Sequence, residues 1–554
     1  MVAVLRKRFA PVLALTLVLA ACTQAAKPPT TTVAPSVIGG EKPVAGGTLT
    51  FIVNAEPPSF DGHRETTFAL LHPIAPHYSL LYKFDPNDLT KVIPDVAAEQ
   101  PAVSADKMTI TIKLRQDVKF HDGTVMTSED VKATYDKILF PDTAKGVTSP
   151  RAGAYAVVSA VNAPDKNTIE FKLKYPSASF LTNLASPWNF IYSAAKLKAD
   201  PRWYEKNIMG TGPFIYDGNT KGQDWKGKKN PDYFGKDKDG NKLPYLDAYK
   251  ALIITDANAG VTAIRSKQAM IEFRGFTPSQ RNDLSAALPN DLAIQEAPWI
   301  CVNYVVPNTA KKPFDDPRVR RALSLAVDRW GGGEALSKTT IVKDVGGLMR
   351  PKGPFAMSDT DLAKISGFGK DAAANKTAAK KLLADAGVPN LSFKFLNRNI
   401  TTPYEPVAVY LINEWKSVGI TATHDVKETS AYQADLRAGA FEVALDFNCD
   451  FLDEPDLQLA KFWSASKAGK GLNFAYYDDT KLDGMIDAQS RETDPAKRVT
   501  LVGEIERYAM DEMAYQYPVL WWYRIVPYLK TVQGWKIGSN HYTNQDLTTV
   551  WLKK

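Results

Sequence analysis

The sequence predicts an α/β protein whose lobes contain mixed sheets. Three observations carry that reading. Short β-branched or strictly alternating segments have the period of strands. Apolar stripes at i, i+3, i+4 and i+7 follow clear helix start signals. The two kinds of segment alternate along the chain. At 554 residues, with 44% apolar and 23% charged residues, the composition is ordinary for a globular protein. The length allows several domains or one large composite body.

The first 22 residues read as a processing signal. Arg6, Lys7 and Arg8 form a basic head, and Phe9–Ala21 an apolar run too short to span a bilayer. Leu19-Ala20-Ala21-Cys22 places small residues before a cysteine and resembles a bacterial lipobox, in which that cysteine is lipidated and becomes the new N-terminus. Plain secretion with an incidental cysteine is the alternative. The expected location is periplasmic, on a membrane-anchored lipoprotein. Residues 23–46, rich in Pro, Thr, Ala and Gly, read as a flexible linker. Nothing later is a continuous apolar run long enough for a transmembrane helix. Loss of residues 1–21 takes three positive charges and no negative one from the formal +7. No lysine/arginine block stands out, so nucleic acid is not an expected partner.

Order begins near Gly47. Thr48–Asn54 (TLTFIVN) reads as a buried strand, and Pro57-Pro58 ends it. Thr109–Leu114 (TITIKL) alternates, with Ile110, Ile112 and Leu114 on one face. The stretch VKFHDGTVMTSEDV, Val118–Val131, gathers a histidine and three carboxylates. A connector accounts for them. Asp122-Gly123 makes a turn, Thr127 or Ser128 caps a helix, and Glu129 and Asp130 sit at its positive end. His121 has no partner histidine or cysteine nearby, and no catalytic residue is assigned. Asp316-Pro317 starts a helix with Val319, Ala322, Leu323 and Ala326 on its apolar face. Gly331–Gly333 should stop or bend that helix. Helices are also expected over Lys376–Asn390, over Val407–Ile420 and after Asp494, where Val502, Ile505, Ala509 and Met513 form the stripe. The strand TATHDV follows the second of these. His63, His72 and His77 are close in sequence but fit no metal-ligand spacing, so hydrogen-bonded or solvated roles are expected, with no metal and no cofactor.

Several of these stretches resemble the bacterial extracellular solute-binding protein family 5, the oligopeptide-, dipeptide-, nickel- and opine-type receptors of ABC importers. They are Val118–Val131, Gly210–Phe214 (GTGPF), Asn230–Asp247, Lys312–Arg329 (KPFDDPRVRRALSLAVDR) and Thr531–Trp535 (TVQGW). The resemblance implies a two-lobed periplasmic binding protein type II fold, a hinged Venus-flytrap with an additional subdomain. The first lobe would hold residues 47–300 and 529–554, with its subdomain at about 79–195, and the second lobe residues 301–528. Ligand would bind between lobes that close by hinge bending, and an ABC importer permease would be the partner of a monomeric receptor.

If Cys22 is lipidated, Cys301 and Cys449 remain. In an exported chain such a pair suggests one disulfide, the alternative being two free buried thiols. Closing a loop of that length contributes roughly 4–5 kcal/mol in the chain-entropy account. The resemblance supports the bond, since some oligopeptide-binding members carry one at similar positions.

Candidate ligand-binding residues follow. Asn54 and Glu56 lie after the first strand. Asn397, Arg398 and Asn399 end the strand LSFKFL, where α/β sheets often carry contacts. The segment NCDFLDEPDL matches the ligand loop of peptide binders and offers Asn448, Asp450 and Phe451. The match sets Phe451 where those proteins place the aspartate that pairs with the peptide amine. Trp521, Trp522 and Arg524 lie in an aromatic run matching a ligand-flanking segment. At most one of the two adjacent tryptophans can face the cleft. Trp463 fits either cleft or core. Oligopeptide is the leading solute, and an oligosaccharide- or opine-type solute is the alternative. A secreted hydrolase is the alternative from another class. The sequence has neither a G-x-S-x-G elbow nor an H-E-x-x-H helix, and no enzyme is expected.

Overall fold

The computed structural model describes residues 42–140, 142–467 and 473–554. The expected signal sequence, Cys22 and residues 23–41 of the expected linker lie outside the described residues. No described helix is long and apolar enough to cross a membrane.

The main sheet is built from β1 (Thr48–Val53), β2 (Phe214–Thr220), β3 (Asp224–Lys229), β4 (Ala248–Ile253), β5 (Ile271–Glu272), β6 (Leu292–Pro307), β7 (Val342–Asp344), β8 (Ser392–Arg398), β9 (Thr421–Lys427), β10 (Val443–Cys449) and β11 (Tyr517–Leu529). Its order is β9-β8-β10-β6-β11-β5-β1-β4-β3-β2, with β7 on β11. It is mixed: β1 runs parallel to β4 and β5, and β8 parallel to β9 and β10, while β6 is antiparallel to both neighbours.

The long strands β6 and β11 belong to both halves of this sheet. Leu292–Pro298 pairs with Tyr523–Leu529 beside β5, and Cys301–Pro307 pairs with β10. The β6–β11 register breaks between Pro298 and Val302. The cores separate about that break. Leu49, Phe51, Val53, Tyr249 and Phe273 pack in the β1 half. In the β8 half, successive side chains alternate faces: Phe395, Val443 and Leu445 join Trp415 on one side, and Leu396 and Ala444 join Tyr432 and Ile505 on the other.

A second, four-stranded sheet contains Ala102–Val103, Thr109–Lys113, Thr168–Leu173 and Val158–Asp165. Ile110, Ile112 and Leu114 are buried under the helix Ser128–Leu139, as their alternation predicts. The connector before that helix forms as expected. Gly123 adopts φ +89°, the Asp122 carboxylate accepts from the Thr124 N–H, and the Asp130 carboxylate accepts from the Thr127 N–H at 2.8 Å. His121 hydrogen-bonds the Gly212 carbonyl.

One expectation needs correction. The helix Pro317–Leu325, capped by Asp316, stops before the glycines rather than at them. The chain turns, and a second helix, Arg329–Leu336, runs through Gly331–Gly333, capped by Asp328 at the Gly331 N–H. Packing explains the glycines. A Cβ on Gly332 would lie 2.7 Å from the Tyr410 ring, and one on Gly333 would lie 2.4 Å from the Lys343 carbonyl oxygen. Close approach therefore outweighs the helix propensity lost, about 1 kcal/mol per glycine.

The helix Pro495–Arg507 buries Val502 and Ile505 and ends in a π turn that buries Ala509. Glu506, in its last turn, is fully buried. One carboxylate oxygen accepts from the Met349 N–H at 3.1 Å, and the other has no partner. Burial pushes this carboxyl up to about 7, against the pull of the Met349 and Leu348 N–H groups. Below the unfolded value, near 4.3, both states hold the proton; between there and about 7 only the folded state does. The contribution to stability is therefore complete at acid pH and lost as pH rises through 7. Urea unfolding should show about 2–3 kcal/mol of stability lost between pH 5 and 8 that Glu506→Gln retains. Parallel pH profiles for the two proteins would refute this assignment.

Candidate functional site

A cleft of about 830 Å³ lies between the two halves. Strand ends build its walls, as expected for an α/β sheet. The β1 half contributes Asn54 after β1, Asp256 and Asn258 after β4, and the bend Glu272–Phe276 after β5. The β8 half contributes Arg398 at the end of β8 with Ile400–Thr402 beyond it, and Cys449 at the end of β10 followed by Asp450. The floor comes from the crossing strands: Trp299 and Cys301 of β6, and Trp522–Ile525 of β11. Phe68, Tyr404, Phe447, His541 and Tyr542 also line it.

Aromatic rings form a chain along this surface. Phe447 meets Tyr404 edge-on, Tyr404 meets Trp522, Trp522 meets Trp299, and Trp299 meets His541, all with centroids 5.6–6.0 Å apart; Phe68 follows at 5.3 Å. An arginine lies over each end. The Arg398 guanidinium is 4.4 Å from the Tyr404 centroid and 5.0 Å from that of Phe447. The Arg274 guanidinium is 5.2 Å from the centroid of Phe68 and 5.9 Å from that of Trp299.

The bend that presents Arg274 is held from both sides. The Glu272 carboxylate accepts from the N–H groups of Arg274 and Gly275, at 3.0 and 2.8 Å. Gly275 adopts φ +138°, where its backbone closes on Ile525. The carbonyls of Phe273 and Arg274 accept from the guanidinium of Arg524, which also donates to those of Gly538 and Asn540.

Asp450 lies on the opposite wall. Its Oδ2 is buried and has no partner. Burial pushes the carboxyl up to about 6, opposed by the positive charge of Lys461, which pairs with Asp446. Asp450 follows the disulfide that joins Cys301 to Cys449, directly opposite one another in the β6–β10 register. The bond ties the β10 end to the cleft floor.

Of the residues the sequence singled out, the cleft brings together Asn54, Arg398, Asp450, Trp522 and Arg524. Arg524 is there as structure. It is 2% exposed and its donors serve main-chain carbonyls, so it is not available to a ligand carboxylate. Trp522 is also mostly buried and donates Nε1–H to the Asn303 carbonyl oxygen Oδ1 at 2.7 Å. Trp521 faces the other way, into the core, and bonds the Gly347 carbonyl.

The remaining candidates lie elsewhere. Glu56 accepts from the Gly222 N–H at the surface, and Asn399 donates to Glu428. Asn397 is buried between Tyr404 and His424. Asn448 donates to Gln458, and Trp463 packs against the core with Lys467 over its ring. Phe451 turns away and packs against the β1-half cluster, while its carbonyl accepts from Asn540. The one-residue offset between Asp450 and Phe451 thus puts a carboxylate, not a phenyl ring, on the cleft wall.

Sequence reasoning missed Arg274, Phe68, Trp299 and Tyr404. Arg274 had a usable signal, since it directly follows a strand, but β5 is only Ile271–Glu272, too short to show a period.

His63 and His77 are buried and bonded to the carbonyls of Phe190 and Phe214. His72 and His541 bond one another, and burial holds both imidazoles well below their usual range.

Chemically, the cleft offers a carboxylate, two guanidinium groups and an aromatic floor. An ammonium suits Asp450. Affinity for an ammonium-bearing solute should therefore rise as pH climbs through about 6 and Asp450 loses its proton, then level off. Asp450→Asn should abolish that rise and bind about 1–3 kcal/mol more weakly above pH 7, measured by calorimetry. Identical pH profiles would clear Asp450 of the role.

Comparison with known proteins matches this architecture. Residues 91–470 match the family described as bacterial extracellular solute-binding proteins, family 5 Middle. The chain is 29% identical to the di/tripeptide-binding protein 2 of Pseudomonas aeruginosa (strain UCBPP-PA14) over 498 residues, 84% of this chain and 88% of that protein. Two solved structures share the fold, each with a TM-score of 0.72 and 24% identity over 92% of this chain and 99% of theirs. They are the periplasmic binding protein DppA from Helicobacter pylori with the peptide STSA, and the binding protein AgaA of A. tumefacien R10 with agropinic acid. The mixed sheet and the cleft at its strand ends are those of the type II periplasmic binding fold. The family match spans more than half the sequence, and the chain belongs to the bacterial extracellular solute-binding proteins of family 5.

Proposed function

We propose that this protein is an extracytoplasmic receptor that captures a small zwitterionic solute, foremost a short oligopeptide, and delivers it to the permease of an ABC importer. The carrying observation is the presence of opposite charges on the β8-half wall of the cleft: an unpartnered carboxylate oxygen on Asp450, and the Arg398 guanidinium above Tyr404 and Phe447. The first suits an ammonium, the second a carboxylate, and the rings between them apolar side chains.

In this reading the lobes are residues 47–300 with 529–554, and 301–528. They hinge where the β6–β11 register breaks. A solute touching both lobes favours the closed form by the contacts it makes only there. An opine- or oligosaccharide-type solute is the second reading, supported by the aromatic floor, whose ring faces also suit sugars.

The cleft is arranged for holding rather than for chemistry. Burial depresses the basicity of His541, which is bonded to His72, and the two cysteines are tied together, so the imidazole is a poor base and the sulfurs are not free nucleophiles. The receptor acts as a monomer and is tethered to the membrane through lipid on Cys22.

Native mass spectrometry of protein purified from its own host should reveal a bound solute carrying both amine and carboxylate. Arg398→Met should weaken that solute by about 1.5–3 kcal/mol in calorimetry, the value of a charge-assisted hydrogen bond. Turnover of the solute, or equal affinity in the variant, would overturn the reading. Cys22→Ala should move the protein from the membrane fraction to the soluble extracytoplasmic fraction; an unchanged distribution would rule out the lipid anchor.

A further inference from the structure

We propose that the preferred solute carries two acidic groups, one taken by Arg398 and the other by Arg274, and that these two cations oppose closure of the empty cleft. The inference rests on the receptor reading and narrows its ligand.

Arg274 and Arg398 stand on opposite lobes, after β5 and at the end of β8. Each guanidinium lies near two rings of the aromatic chain, 4.4–5.9 Å from their centroids, and neither makes a side-chain hydrogen bond or an ion pair among the described residues. The Arg398 Nε is buried and unpartnered. Stacking uses the face of a guanidinium and leaves its N–H edge for a planar, bidentate acceptor, which a carboxylate supplies and an amide does not.

The neighbouring carboxylates do not fully offset this pair, since Glu272 feels both Arg274 and Arg524 and is one negative charge beside two positive ones. Glu272 spends its oxygens on the N–H groups of Arg274 and Gly275, and Asp256 caps the helix Ala257–Arg265 through the Ala259 N–H. Asp450 is then one carboxylate facing two cations. Both cations reach the same space, since Arg398 and Arg274 oppose the rise that burial, together with the Asp446 carboxylate paired to Lys461, imposes on the Tyr404 phenol.

Two like charges brought together as lobes close repel one another in a cleft that excludes water. A solute with one ammonium and two carboxylates reverses that term: Asp450 takes the ammonium and each arginine a carboxylate. The gain exists only in the closed form, so it converts directly into a population shift.

Ala-Glu and Ala-Gln differ only in the second acid and serve as probes. Calorimetry at low salt should show Ala-Glu binding about tenfold or more tightly than Ala-Gln to the wild type. In Arg274→Gln the two affinities should converge, with Ala-Gln still bound. Stripped of solute, Arg274→Gln should scatter X-rays as a more compact particle than stripped wild type at low salt, and added salt should shrink that difference. Equal affinities in the wild type, a preference that survives Arg274→Gln, or identical scattering of the two stripped proteins would each overturn the inference. Should neither dipeptide bind, glutarate is the probe, and a melting temperature it does not raise in the wild type also overturns the inference. These failures leave the receptor reading intact; that reading falls on the co-purified solute, its turnover, or its unchanged affinity for Arg398→Met.

Discussion

The arrangement depends on two antiparallel strands that serve two cores at once. β6 and β11 pair from Leu292–Leu529 to Val305–Tyr517, yet each changes neighbours partway along. A pair committed to both halves cannot be lost from either. It can flex most cheaply where the ladder is already irregular, at the register shifts between Pro298 and Val302 and between Val302 and Tyr304. Trp299, Cys301 and Trp522 occupy that stretch or face it, so the cleft floor and the flexible point coincide. In the proposed receptor, a change in lobe angle would therefore be felt first by the surface proposed to touch the solute.

Buried arginines do much of the positioning. Arg524 gathers carbonyls from the Arg274 bend and from the segment Gly538–Asn540. Arg329 does the same for Ser324, Gly367 and Pro518, and Arg320 for Phe314, Asp315, Met513 and Ala514. Loops that carry function cannot rely on ladder bonds, and unpaired buried carbonyls are costly. A guanidinium satisfies several from one fixed plane. This division of labour explains why Arg524 was a misleading candidate and Arg274 an overlooked one. Both sit next to the cleft, but one has its N–H edge occupied by the protein and the other does not.

The fold was legible where periodicity and caps agree. TITIKL, the Asp316-Pro317 start and the Asp122-Gly123 turn all state local physics, and the structure follows them. The triple glycine of Arg329–Leu336 misled because its cause is tertiary: Tyr410 and the Lys343 carbonyl press on a helix that propensity alone would interrupt. The cleft was only half legible. Strand-end logic reached Asn54 and Arg398, and the match to the ligand loop of peptide binders reached Asp450. The first failed for Asn397 and Asn399 and the second for Asn448, since which residue near a strand end faces the cleft is set by pleat and by partners such as His424, Glu428 and Gln458. Phe68 and Trp299 carry no local mark, since an aromatic in a cleft and one in a core look alike in sequence.

The atoms left unsatisfied describe the guest best. A folded chain pairs its buried polar groups because each unpaired one costs about 1–3 kcal/mol. Asp450 Oδ2 and Arg398 Nε break that rule within one cleft. A receptor has a reason to keep such groups unpaired. Binding free energy is a difference, and a donor already satisfied by the protein gains nothing when a solute arrives. The cost of holding these groups ready is met elsewhere, by the disulfide beside Asp450, the rings beneath Arg398 and the doubly held bend beneath Arg274. Rigid support for deliberately unfinished groups lets a closing cleft turn modest contacts into selectivity, because a solute lacking the matching group leaves the same atoms buried and unpaired.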